Sequence, residues 1–187
     1  MRRILILLVL MSMTSFVHGA TPPTSNNWQE KVAAQMPLLG HRNWILIVDS
    51  AYPLQAAPGI ETIETDSGQL EVIRHVLGAI DRSIHVRPVI SMDAELPFLT
   101  EEDAPGVSKY RNEVHDLLRD YPIETLPHDR VIANIEEASK HFNILVLKTN
   151  MTVPYTSVFI RLDCKYWSAD AEKGLRAKMA AASKTAP

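Results

Sequence analysis

Four side chains suited to moving protons stand beside apolar runs in this sequence. Asp49 directly follows Trp44-Ile45-Leu46-Ile47-Val48. A short continuous apolar run fits a strand buried on both faces. Open α/β sheets bind ligands outside the carboxyl ends of such strands. A carboxylate there can accept hydrogen bonds from hydroxyl groups or orient a nearby imidazole. His41 follows Gly40 and precedes the same run by two intervening residues, His128 follows Pro127, and Tyr155 follows Pro154. Imidazole is the side chain best matched to proton transfer near neutral pH. Two histidines, one carboxylate and one phenol make a workable acid/base set. Each also has a plainer use. A histidine after a helix can cap carbonyls, and an aspartate after a strand can make a turn. Spacing alone leaves both uses open.

The elements that would position these groups alternate between strand and helix patterns. Residues 28–39 read as a helix, with Gly40 at the position that ends it. The run 44–48 is a strand, 50–59 a loop with two prolines, and 60–65 a second strand. Leu70, Ile73, Val76, Leu77 and Ile80 recur at helical period, so 68–82 is the clearest amphipathic helix. Residues 85–92 read as a strand pushed toward an edge by Pro88. The segment 93–106 is an acidic, proline-containing loop, and 107–119 and 128–142 are helices. Residues 144–147 form a buried strand, and 155–162 a last strand that Tyr155 opens. The Ala- and Lys-rich stretch 169–182 reads as a solvated helix. This alternation predicts an α/β sheet with helices on both faces.

Composition removes several classes. Of 187 residues, 46% are hydrophobic and 22% charged, which fits a globular chain. The net charge of −3 gives no support to nucleic-acid binding, which usually shows a basic excess. The one cysteine, Cys164, cannot close an internal disulfide or build a cysteine-pair zinc site. No histidine pair has metal-ligand spacing, so no metal is expected. No phosphate-binding glycine loop appears, and no cofactor is expected.

Residues 1–20 have the order of a secretory signal peptide. Arg2-Arg3 is followed by apolar sequence from Ile4 to Met11, then by Gly19-Ala20. The apolar core is shorter than the roughly 20 residues needed to span a bilayer. Cleavage after Ala20 would place the protein in the periplasm or outside the cell, with no stable membrane association. The expected organisation is a signal peptide at 1–20, a linker at 21–27, one domain at 28–168 and a tail at 169–187.

The stretch Leu39-Gly40-His41, the apolar strand, Asp49, and Pro53 four residues later resembles the D-ribose pyranase / L-fucose mutarotase family. The likeness resumes at Val76-Leu77-Gly78-Ala79-Ile80, at Lys109-Tyr110-Arg111-Asn112, and at Glu136 to Phe142 followed by a strand and Pro154-Tyr155. The resemblance implies a three-layer α/β/α domain with a mostly parallel central sheet. It also implies a ring-like homo-oligomer, often a decamer, with sites near subunit boundaries. The implied activity is interconversion of monosaccharide forms, either anomers or pyranose and furanose, by acid/base ring opening. The family's glycine-histidine turn carries over to His41, its strand-end carboxylate to Asp49, its tyrosine to Tyr155, and a further histidine to His128. His41 is then the main proton-transfer group, with Asp49 as its partner or a sugar anchor. Two residues after the tyrosine the family has Asn and this chain has Ser157. That departure keeps a second reading open, a non-catalytic monosaccharide-binding protein.

Overall fold

The computed structural model describes residues 27–185; the expected signal peptide and nearly all of the expected linker lie outside them. Among the described residues, six strands form one sheet: β1 (Trp44–Val48), β2 (Ile60–Glu64), β3 (Val86–Asp93), β4 (Ile123–Leu126), β5 (Ile144–Lys148) and β6 (Val158–Cys164), in the order β2-β5-β1-β6-β3-β4. The helices are α1 (Trp28–Gln35), α2 (Gln69–Arg82), α3 (Val107–Leu118), α4 (His128–Ser139) and α5 (Ala169–Thr185). The result is a three-layer α/β/α arrangement around a mixed, mostly parallel sheet.

Burial explains the layers. The β1 run is buried at every position, and β5 at all but its last. Alternate side chains therefore feed two cores. On one face Ile45, Ile47, Leu145 and Leu147 meet Val32 of α1, Val72, Ile73, Val76 and Ile80 of α2, and Val107 and Val114 of α3. On the other face Trp44, Leu46, Val48, Val146 and Phe159 meet Val131 and Ile135 of α4. Burying one such aliphatic side chain stabilises by about 1.5–3 kcal/mol, so α2 is anchored more firmly than α4. Helix α5 is exposed over most of its length.

The last strand is the topological feature that matters for the site. β6 lies between β1 and β3 and runs antiparallel to both. β1, β2 and β5 are mutually parallel, and so are β3 and β4. The start of β6 therefore meets the carboxyl ends of its neighbours: Val158 pairs with Ile47 on one side and Met92 on the other.

Several local expectations are corrected. Helix α1 ends at Gln35, ahead of Pro37, which has no N–H to extend the ladder. Gly40 does not supply the left-handed turn residue. Arg42 does, with φ 76°, while the Gly40 N–H is held by Asn43 Oδ1 at 2.7 Å. β3 is an internal strand. Pro88 is tolerated because β4 pairs only with Ile90 to Asp93, leaving the first half of β3 with a single neighbour. β4 itself was not expected. Its first three residues are exposed, so it lacks the apolar run that marks a buried strand. β6 begins at Val158, and Tyr155 sits in the turn before it with φ 56°.

Candidate functional site

The carboxyl ends of β1, β3 and β4 and the approach to β6 surround one cleft of about 560 Å³. That size suits a small organic ligand. Asp49 enters from the end of β1, Asp93 is the last residue of β3, and His128 begins α4 just beyond β4. Tyr155 and Ser157 come from the turn leading into β6. The sheet thus brings together four of the five residues singled out from the sequence: Asp49, His128, Tyr155 and Ser157.

Asp93 and His128 form the chemical centre of this cleft. His128 Nδ1 lies 3.0 Å from Asp93 Oδ1. With Asp93 ionised its oxygen can only accept, so the ring proton then sits on Nδ1 and the Nε2 lone pair is left as a base. The Asp93 side chain is fully buried, whereas that of His128 is 38% exposed. Burial pushes the Asp93 carboxyl above its ordinary range, and the hydrogen bond and charge of His128 oppose that rise. The backbone around the histidine is fixed as well. The His128 N–H donates to both Glu95 oxygens, at 3.0 and 3.1 Å, satisfying an otherwise free donor at the start of α4. The Tyr155 ring meets the imidazole edge to face, with centroids 5.6 Å apart. Positive φ at a bulky residue costs backbone energy, so the turn presents Tyr155 to the cleft in a strained conformation.

Asp49 is half-buried, and its Oδ1 accepts the Ala51 N–H at 2.8 Å. One oxygen therefore makes the turn expected of an aspartate after a strand. Three residues on, Tyr52 is buried and lines the same cleft. Burial first, then the charges of Glu136, Asp49 and Asp93, push its hydroxyl up to about 12. It stays protonated and remains a donor. Neither the Tyr52 hydroxyl nor Asp93 Oδ2 has a hydrogen-bond partner among the described residues.

A buried polar network braces the cleft from below. Gln69, the first residue of α2, donates from Nε2 to Ile47 O at 3.2 Å and to Thr156 O at 2.8 Å. The single Thr149 hydroxyl proton goes to Gln69 Oε1 or to Val48 O, both within hydrogen-bond reach of Oγ1. The Tyr110 hydroxyl donates to Thr156 O at 2.6 Å, and burial pushes that hydroxyl well above its ordinary value. These bonds tie the end of β1 to the turn before β6. They set where Tyr155 and Ser157 fall.

His41 lies elsewhere. It precedes β1, at the opposite end of the strand from Asp49; the five residues of β1 between them span roughly 16 Å at about 3.3 Å per residue. Its Nε2 is 3.5 Å from Asp163 Oδ1, and its side chain is 51% exposed. Arg87 holds the other Asp163 oxygen through Nε at 3.0 Å and Nη2 at 2.6 Å. Burial raises the Asp163 carboxyl, but the Arg87 guanidinium, the Cys164 N–H and His41 outweigh it and hold it below the usual range. His41 borders a second cleft of about 560 Å³ with Arg42, Arg87, Tyr166 and Trp167. Within one chain, Asp49 is not the partner of His41.

Sequence reasoning missed Asp93 and Tyr52. Asp93 closes the strand expected at 85–92 much as Asp49 follows β1, and that signal was available. Tyr52 had no comparable signal, since a tyrosine in a proline-containing loop is ordinary surface sequence. Among the described residues, no group of three or more His, Cys, Asp or Glu could hold a metal ion, and no helix is long and apolar enough to cross a membrane.

No family model and no curated protein sequence matches the chain. Solved structures match it in fold. The fucose mutarotase from Streptococcus pneumoniae, in complex with L-fucose, has a TM-score of 0.50 and 15% identity, over 74% of this chain and 94% of that one. Bacillus subtilis RbsD complexed with D-ribose has a TM-score of 0.49 and 16% identity, over 76% and 95%. FucU from Bifidobacterium longum has a TM-score of 0.46 and 16% identity, over 71% of this chain and 92% of that one. The class these likenesses define is one of fold, an α/β/α domain.

Proposed function

We propose that this protein binds a monosaccharide in the cleft of Asp49, Asp93, His128 and Tyr155 and interconverts its ring or anomeric forms. The observation that carries this reading is the Asp93–His128 pair, a buried carboxylate holding a half-exposed imidazole at the mouth of a ligand-sized cleft. Ring opening removes the proton of the anomeric hydroxyl, breaks the bond from the anomeric carbon to the ring oxygen, and places a proton on that oxygen. His128 Nε2 takes the first proton, and the Asp93 charge stabilises the imidazolium that forms. Reclosure from the other face gives the other anomer. Attack by a different hydroxyl gives the other ring size. Positioned acid/base groups contribute about 10²–10⁴-fold to such a step. Asp49 keeps one carboxylate oxygen outside its turn and anchors a sugar hydroxyl, with Tyr155 beside it.

The second proton-transfer group in this proposal is His41 of a neighbouring copy in a homo-oligomer, since the chain's own His41 stands at the far end of β1. The separation of the two histidines within one chain also favours the alternative, a protein that binds the sugar without catalysis. Action in the periplasm or outside the cell is part of the proposal and rests on residues 1–20 alone. Saturation-transfer NMR with a panel of neutral monosaccharides tests it. Sugar binding that His128→Ala weakens or abolishes supports the cleft. Absence of binding to every sugar in the panel rejects it.

A further inference from the structure

Tyr52 is 7% exposed and Asp93 is 1% exposed, and both line the cleft. In each, a polar atom shut away from solvent has no partner among the described residues: the Tyr52 hydroxyl and Asp93 Oδ2. Orphaned buried polar atoms are costly, and folded proteins retain few of them. Here two occur in the wall of one cleft, and they are complementary, one a donor and one an acceptor. Asp93 has committed its other oxygen to His128. The Tyr52 ring belongs to the apolar cluster that holds Val131 and Ile135 of α4.

We propose that Tyr52 and Asp93 form an inner subsite that takes a single hydroxyl group of the bound sugar, Tyr52 donating to its oxygen and Asp93 accepting its proton. A hydroxyl is the simplest group that both accepts and donates at one atom. A carboxylate or phosphate oxygen would satisfy Tyr52 and be repelled by Asp93 and Asp49. An ammonium group would satisfy Asp93 and leave Tyr52 unpaired. The subsite rests on the reading of the cleft as a monosaccharide site and adds to it a residue that selects the configuration at one carbon. Both atoms are covered in this structure, so the sugar hydroxyl enters by displacing the cleft wall that carries Tyr52. The two groups would then serve the ligand and not the fold.

Tyr52→Phe separates these roles, because phenylalanine keeps the packing and removes only the hydroxyl. Thermal unfolding of the ligand-free variant should show a midpoint equal to or above that of the parent. Calorimetric titration with the sugar the parent binds best should show affinity about fivefold to tenfold weaker, the usual worth of one uncharged hydrogen bond. Among the monodeoxy analogues of that sugar, one should bind the parent more weakly than the full sugar binds Tyr52→Phe, since it loses the bonds to both Tyr52 and Asp93, and should bind both proteins alike. Unchanged affinity in Tyr52→Phe, with sugar binding intact in the parent, overturns the subsite and leaves the sugar reading standing. A lowered unfolding midpoint also overturns it, since the hydroxyl would then serve the fold. A parent that binds no neutral sugar removes both readings.

Discussion

Replacing Asp93 by asparagine keeps the size of the side chain and removes its charge. The Asp93 side chain is fully buried, with one oxygen bonded to His128 and the other without a partner among the described residues. A charge-assisted hydrogen bond is worth about 1.5–3 kcal/mol, and a buried polar atom left unpaired costs about 1–3 kcal/mol. Asparagine keeps an uncharged bond to His128 and leaves an unpaired atom in the same place, but it removes a buried charge; the loss and the gain are of similar size, so at neutral pH the substitution should change stability by no more than about 1–2 kcal/mol. Its sign follows from the proton balance. Burial raises the carboxyl above its ordinary 3.8, so the folded protein holds this proton more tightly than the unfolded chain. The stabilising contribution is full below the unfolded value and is lost as pH rises through the raised folded value. At neutral pH the ionised Asp93 therefore weighs against the fold, and asparagine relieves it. Urea unfolding from pH 3 to 8 should show parent stability falling relative to Asp93→Asn as the carboxyl ionises. The rate of sugar exchange should fall by about 10²–10⁴-fold, because an amide does not stabilise the imidazolium. A variant that loses more than about 3 kcal/mol at pH 7, or that exchanges sugar at the parent rate, would refute this account of the dyad.

Three further substitutions probe the frame and the site. Gln69→Ala removes the bonds to Ile47 O, Thr156 O and Thr149, whose hydroxyl keeps Val48 O as an acceptor; it should cost about 2–4 kcal/mol in urea unfolding, and a loss below about 0.5 kcal/mol would show that the network does not brace the cleft. His41→Ala removes an exposed side chain and should leave stability within about 0.5 kcal/mol, yet lower the exchange rate at least tenfold in the assembled protein. An unchanged rate, with light scattering showing an oligomer, would place His41 outside the reaction. Ser157→Asn restores an amide at a position that is 3% exposed and should strengthen or broaden sugar binding by calorimetry; affinity unchanged for every sugar the parent binds would put position 157 outside the site.

The parts of the fold that announced themselves are those where burial is one-sided or complete. α2 shows a helical apolar stripe and β1 a run of five apolar residues, and both appear where that pattern puts them. β4 was silent because its side chains are mostly exposed and its stability comes from backbone pairing with β3. The position of β6 was equally hidden. Its apolar residues mark it as buried, but nothing local says that it inserts antiparallel between β1 and β3. That one fact of topology decides which polar residues meet. It brings Tyr155 and Ser157 to Asp49 and Asp93, and it leaves His41 behind at the other end of the sheet. Gly40 misled for a related reason. A glycine after a helix suggests a left-handed cap, yet the chain takes its positive φ at Arg42, where the backbone N–H reaches Leu162 O at 2.9 Å. Tertiary hydrogen bonding overrode the local preference.

The central claim is that His128, held by Asp93, moves the protons of sugar ring opening. Exchange spectroscopy by proton NMR reads this directly, as the rate of magnetisation transfer between the forms of a sugar that the protein binds. The account predicts exchange faster than in buffer for the parent, reduced by at least 10²-fold in His128→Ala while circular dichroism stays unchanged. Exchange in His128→Ala at the parent rate would contradict it.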